Sequence, residues 1–91
     1  NEVYLAQENL NEKARKYLNE AEIIFKKGLN VEESNFPQAK KIIKNMTYVI
    51  KQDGQNFQAY FYRARAKNVL KDYKNALVDF KNYILLELLF E

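Results

Sequence analysis

The stretch that decides the fold is YFYRARAKNVLKDYKNALVDF, residues 60–80. It contains the aromatic residues Tyr60 and Tyr73, the small residues Ala64 and Ala76, and basic residues between them. Basic residues interleaved with aromatic ones are typical of nucleic-acid interfaces. Small residues at helical spacing are typical instead of two helices that cross closely. The rest of the chain separates these two interpretations.

Composition excludes most catalytic and metal-binding arrangements. The chain has 91 residues, which suits one domain covering residues 1–91, and 47% of them are hydrophobic, enough for a small core. It has no cysteine, no histidine and a single serine, Ser34, which excludes disulfides, the usual zinc sites and a Ser-His-Asp triad. Two glycines leave no Gly-rich phosphate loop. We therefore expect no enzyme activity, no metal and no cofactor.

Charge and hydropathy point to a water-facing helical surface. Fifteen basic and 12 acidic residues give a net charge of +3, and the two signs are interleaved. No apolar run approaches the roughly 18 residues that cross a membrane, and no signal peptide is visible. Because the chain starts at Asn1 and not at a methionine, we interpret it as part of a longer protein. We expect that protein to be intracellular, in the cytoplasm, with no membrane partner.

Apolar residues recur at steps of three and four in four segments, which predicts an all-α fold. The predicted helices cover residues 2–27, 37–51, 57–70 and 73–88. Gly28 is expected to end the first helix, because a glycine just past the last turn can adopt the left-handed conformation. Asn56 and Asp72 are predicted N-caps of the third and fourth helices. The very short connection between these two helices makes them antiparallel neighbours.

The chain also contains an internal repeat. YLNEAEIIFKKG, residues 17–28, and YFYRARAKNVLK, residues 60–71, both begin with tyrosine, have an alanine four residues later and run to a helix end. The helices that follow share an aromatic residue and an alanine three positions apart, as Phe36–Ala39 and as Tyr73–Ala76. We therefore predict two copies of a helix-turn-helix unit.

This pattern resembles the tetratricopeptide repeat (TPR), a helical pair of about 34 residues. The family has aromatic and small residues at set positions, and residues 57–87 supply them as Tyr60, Ala64, Tyr73, Ala76 and Phe80. The resemblance implies two TPR-like antiparallel helical hairpins with an extended N-terminal helix. It makes residues 15–54 a degenerate repeat and residues 56–90 a better-matching one. The second unit departs from the family at Arg63 and Lys67, where leucine and tyrosine are usual.

The resemblance implies a non-catalytic interaction or scaffolding module that binds a protein or peptide. In such repeats the first helices line an inner surface, which would carry Phe61, Tyr62 and Arg65. A peptide or helix would be held there by aromatic burial and a charge contact. The alternative is that Phe61 and Tyr62 only pack against the neighbouring repeat.

The C-terminal segment YILLELLFE, residues 83–91, is nearly all apolar and predicts a second contact surface. Its candidate residues are Leu85, Leu88, Leu89 and Phe90. A helix that is apolar on all sides needs cover on more than one side. A following repeat, a second copy of the chain or the N-terminal helix would supply that cover, so we expect packing against the parent protein or a homo-oligomer.

A weak nucleic-acid-binding module is the alternative function, using Arg63, Arg65 and Lys67. On a helix Arg63 and Lys67 share a face while Arg65 points elsewhere, which divides the basic patch. A net charge of +3 neutralises few phosphates, so affinity at physiological salt would be low. We therefore favour the interaction module.

Overall fold

The computed structural model describes residues 10–90, and this part of the chain is entirely helical with connecting turns. Its four α-helices are α1 (Glu12–Lys27), α2 (Phe36–Gln52), α3 (Phe57–Val69) and α4 (Tyr73–Leu89). One turn of 3₁₀-helix, Glu33–Asn35, leads directly into α2. The predicted all-α class is confirmed, and α2, α3 and α4 begin and end within two residues of their predicted limits.

Asparagine caps begin α1 and α3 in the same way. The Asn56 Oδ1 accepts a hydrogen bond from the backbone N–H of Ala59 at 3.0 Å, as the predicted cap requires. The Asn11 Oδ1 accepts one from Ala14 N–H at 2.8 Å, so α1 starts one residue later, at Glu12. The prediction of helix through residues 10 and 11 is therefore wrong. The rest of the predicted N-terminal extension, residues 2–9, lies outside the described residues.

The predicted cap at Asp72 has the correct position but the wrong interaction. Asp72 is the N-cap residue of α4, yet its side chain makes no capping hydrogen bond to the helix backbone. Both carboxylate oxygens accept instead from the Asn75 side-chain amide, at 3.1 and 2.9 Å. A hydrogen bond between the Asp72 and Asn75 side chains therefore takes the place of a side-chain cap on the backbone of α4.

A Schellman motif joins α3 to α4. The Lys71 N–H donates to the Asn68 carbonyl and the Asp72 N–H donates to the Lys67 carbonyl, both at 2.9 Å. This geometry places Lys71 at φ 65°, in the left-handed region where glycine is usual. The tight turn reverses the chain within two residues.

The helices pack in chain order, with α1 on α2, α2 on α3 and α3 on α4, and α1 also touches α3. Phe57 near the start of α3 lies against Tyr83 of α4, whereas Arg63, later in α3, bonds Asp79, earlier in α4. Partner numbers fall as α3 numbers rise, so these two helices run in opposite directions. Ala64 and Ala76 are 0% and 1% exposed, which suits small residues at a helix crossing.

Candidate functional site

Helix α4 has one buried side and one exposed apolar side. Ala76 and Asp79 are its buried residues. The opposite side carries six large aliphatic residues that are more than half exposed; we call them the α4 apolar face, and they are Leu77, Val78, Ile84, Leu85, Leu88 and Leu89. A soluble helix normally has a polar outer face, so this helix departs from the usual amphipathic pattern.

The spacing of these residues explains the breadth of the face. Leu77, Ile84 and Leu88 lie along one line of the helix, while Val78, Leu85 and Leu89 lie along the next. Residues one position apart are about 100° apart around a helix, so two adjoining lines cover a broad arc. The α4 apolar face is therefore wide enough to contact more than one element of a partner.

The predicted C-terminal contact residues divide into two groups. Leu85, Leu88 and Leu89 are 60%, 63% and 72% exposed and lie on the α4 apolar face. Phe90 follows the helix, where its N–H donates to the Leu86 and Glu87 carbonyls, and its side chain is half-buried. The structure thus brings together three of these four predicted residues.

Leu77 and Tyr73, two further apolar residues of α4, also face outward. They are 55% and 59% exposed. Because α4 has apolar residues on both sides, their spacing did not reveal which side faces the core. The two lines of apolar residues that begin at Leu77 and Val78 were the sequence feature that could have indicated an apolar outer face.

The three residues of α3 that were predicted to line an inner binding surface contact aromatic rings of neighbouring helices. The Tyr62 ring stacks on the Phe25 ring of α1, with centroids 5.7 Å apart and planes 7° apart. The Arg65 guanidinium lies 4.4 Å from the centroid of the same Phe25 ring, a cation–π distance. The Phe61 ring lies 4.8 Å from that of Tyr83 on α4. Phe61, Tyr62 and Arg65 are all half-buried by these contacts.

The Tyr62 hydroxyl responds to this environment. Burial raises the pKa of Tyr62 above its ordinary value, and the negative charge of Glu22 raises it further. The positive charge of Arg65 acts in the opposite direction. Tyr62 therefore remains a neutral hydrogen-bonding group at physiological pH.

A buried ionic cluster joins three helices behind the α4 apolar face. Asp79 is 1% exposed. Its carboxylate accepts two hydrogen bonds from Arg63, from Nε at 2.9 Å and from Nη2 at 2.8 Å. The Lys67 Nζ lies 2.8 Å from the same carboxylate. The remaining guanidinium nitrogen of Arg63 donates to the Thr47 hydroxyl of α2 at 3.2 Å.

The cluster keeps Asp79 ionised. Burial alone would raise the pKa of Asp79, but the hydrogen bonds and positive charges of Arg63 and Lys67 outweigh it, so the pKa is lowered. Arg63 and Lys67, two positions at which the chain departs from the TPR pattern it resembles, both bind this carboxylate. The cluster was not predicted from the sequence, although the spacing of Asp79 from Ala76 puts it on the buried side of α4.

Each of the three basic residues proposed for nucleic-acid binding already contacts another side chain of this chain. Arg63 and Lys67 bind Asp79, and Arg65 lies over Phe25. As expected from helical spacing, Arg65 therefore points away from the other two. A phosphate would have to compete with a buried carboxylate for two of these cations.

Concave regions elsewhere in residues 10–90 border α1. A groove of about 200 Å³ between α1 and α2 is lined by apolar residues such as Ile24 and Met46 with polar residues at its rim. It is smaller than the roughly 300–1,000 Å³ of most ligand pockets. Within residues 10–90 no group of acidic side chains is arranged to hold a metal ion, and no helix there is long and apolar enough to cross a membrane.

The chain matches no protein-family model, no curated protein and no solved structure. The resemblance to the tetratricopeptide repeat, and the stacking of two hairpins that it implies, stay predictions.

Proposed function

We propose that this chain is a non-catalytic protein–protein interaction module that binds a partner through the α4 apolar face. One observation carries the proposal: six large aliphatic side chains on one side of one helix are each 52–72% exposed. Single exposed apolar residues are ordinary, but a contiguous apolar patch marks an interaction surface. We expect the parent protein to use the module as an intracellular scaffold.

The size of the face is adequate for specific binding. Fully burying one aliphatic side chain contributes about 1.5–3 kcal/mol. Six side chains that are roughly 60% exposed would therefore contribute on the order of 5–10 kcal/mol when covered. Association itself costs about 4–15 kcal/mol. A partner that also buries an apolar face adds its own burial free energy, which favours binding.

The inner side of α4 supports the proposal because it holds the helix in a fixed position. Asp79 is tied to α3 by Arg63 and Lys67. The Phe80 and Tyr83 rings pack against the Phe61 ring, with centroids 6.1 and 4.8 Å away. A partner thus meets a preformed surface and pays little to order it.

Contacts within the chain make Phe61, Tyr62 and Arg65 a weaker candidate for the main interface than the α4 apolar face. Tyr62 and Arg65 already contact Phe25 within the chain, so their apolar surfaces are partly satisfied. Leu85, Leu88 and Leu89 lie on the exposed face instead. The α4 apolar face therefore has more to gain from a partner.

Affinity capture with matched variants tests the proposed function. The wild-type chain, Leu88→Lys and Ile23→Lys are immobilised, and proteins retained from a cell extract are quantified by mass spectrometry. Leu88 and Ile23 are 63% and 52% exposed, so neither charge disturbs the core. We expect Leu88→Lys to lose proteins that Ile23→Lys retains. Equal retention by all three chains would contradict the proposal.

A further inference from the structure

We infer that the partner is a second copy of this chain, with α4 lying antiparallel to the partner's α4 about a two-fold axis near Leu85. The inference rests on the proposed function and names the occupant of the same face. It follows from where apolar surface lies, from the spacing along α4 and from the position of one lysine.

The distribution of exposed apolar residues favours self-association. Nine large hydrophobic side chains of residues 10–90 are strongly exposed, and seven of them lie on α4. The other two, Ile23 and Val31, lie on α1 and in the following loop. Within the described residues, the surface that best complements an α4 apolar face is therefore another α4 apolar face. A patch that is complementary to itself gives a closed two-fold dimer.

The spacing along α4 suits helix-on-helix packing. Leu77, Lys81, Ile84 and Leu88 follow one another at steps of four, three and four residues, and Val78, Asn82, Leu85 and Leu89 repeat the same steps. This is the periodicity with which paired helices interlock side chains at a small crossing angle. With the axis near Leu85, the two helices overlap over residues 81–89. Ile84, Leu85, Leu88 and Leu89 therefore lie in the contact, and Leu77 and Val78 lie outside it.

Lys81 decides the relative direction of the two helices. It is exposed and interrupts the first line of apolar residues. In a parallel pair the two copies of Lys81 would face each other, and like charges repel. In an antiparallel pair with its axis near Leu85, Lys81 lies opposite the partner's Leu89, in the last turn of the partner's helix. That turn has no basic residue of its own, and its carbonyl groups favour a cation.

Cysteine cross-linking tests this arrangement directly, because the chain has no cysteine. In the proposed pair the two copies of residue 85 lie next to each other across the axis. The two copies of residue 77 are eight positions from it, and so about 24 Å apart along the helix. A disulfide needs Cα atoms within about 7 Å. We expect Leu85→Cys to form a disulfide-linked dimer under mild oxidation and Leu77→Cys to stay monomeric.

Sedimentation equilibrium of the unmodified chain from micromolar to millimolar concentration accompanies the cross-linking. We expect reversible dimers that dissociate on dilution. A monomer at every concentration would overturn self-association. A Leu85→Cys chain that cross-links no faster than Leu77→Cys would overturn the antiparallel pair with its axis near Leu85. The proposed function has its own test in the capture experiment. It is supported if Leu88→Lys loses a captured protein other than this chain, and it is contradicted if the three chains retain proteins equally.

Discussion

Arg63 donates two hydrogen bonds to Asp79 across the α3–α4 contact, at 2.9 and 2.8 Å, in the fork geometry that suits a carboxylate. Lys67, one turn further along α3, adds a second cation at 2.8 Å. The carboxylate is 1% exposed, so it depends on these partners to remain charged in the interior.

Replacing Asp79 with asparagine removes the negative charge and leaves two cations beside a neutral amide. Because breaking one side of a buried ion pair is strongly destabilising, we expect Asp79→Asn to lower the free energy of unfolding by about 3 kcal/mol. Urea denaturation measures this change. Asp72→Asn is the matched control at the N-terminus of the same helix. We expect it to lower stability by less than about 1 kcal/mol, because the asparagine oxygen can still accept from Asn75 and only a charge near the helix N-terminus is lost. Equal effects of the two substitutions would contradict the ionic role of Asp79.

Acid should weaken the fold through the same carboxylate. The pKa of Asp79 is lowered in the folded chain from an ordinary value of 3.8, so the unfolded chain takes up the proton first as the pH falls. The stability that the cluster contributes is therefore present above about pH 4 and is lost as the pH falls through the folded pKa. We expect the unfolding free energy of the wild type to fall more steeply below pH 4 than that of Asp79→Asn. Parallel pH profiles for the two chains would assign acid sensitivity to other groups.

The left-handed residue between α3 and α4 offers a stabilising substitution. Lys71 adopts φ 65°, which strains a residue with a Cβ but not glycine. We expect Lys71→Gly to raise the free energy of unfolding by about 0.5–1 kcal/mol. Lys44→Gly, the same change in the middle of α2, should lower it by about 0.8–1 kcal/mol. Thermal and urea unfolding measure both, and a loss of stability in Lys71→Gly would show that the Lys71 side chain contributes more than its backbone costs.

Reversing the charge of Lys81 tests the direction of the proposed helix pair. In an antiparallel pair, Lys81→Glu places a negative charge against the partner's helix C-terminus, so we expect the dimer dissociation constant to rise about three- to tenfold. Lys16→Glu makes the same change on α1, away from the face, and should leave the constant unaltered. Sedimentation equilibrium compares the two variants. An unaltered constant in Lys81→Glu would favour a parallel pair, in which two facing glutamates repel each other as two facing lysines do.

Local signals along the chain predicted most of the fold. Pro37, Gly28 and Asn56 act on the backbone within one turn of their own position, so the helix limits near them were readable from sequence. Asn11 carries the same local cap, and the periodic apolar residues on both sides of it concealed that signal. The Asp72 cap failed because the Asn75 side chain competes for the carboxylate.

The candidate site depended on relations between helices, and these were less predictable. The cations that bind Asp79 lie on α3, and spacing within α4 does not reveal them. Leu85, Leu88 and Leu89 were identified because they form an unusually apolar run. The exposure of Leu77 was harder to predict, since a helix that is apolar on both sides gives only a weak periodic signal to orient it.

Helix α4 is held in place by its charged and aromatic side and offers its aliphatic side to other molecules. Substitutions on the outward side therefore escape most of the constraint that folding imposes on a sequence. Under the proposed function, changing a few of the exposed leucines would alter which partner binds, while Asp79 and its cations preserve the fold beneath them.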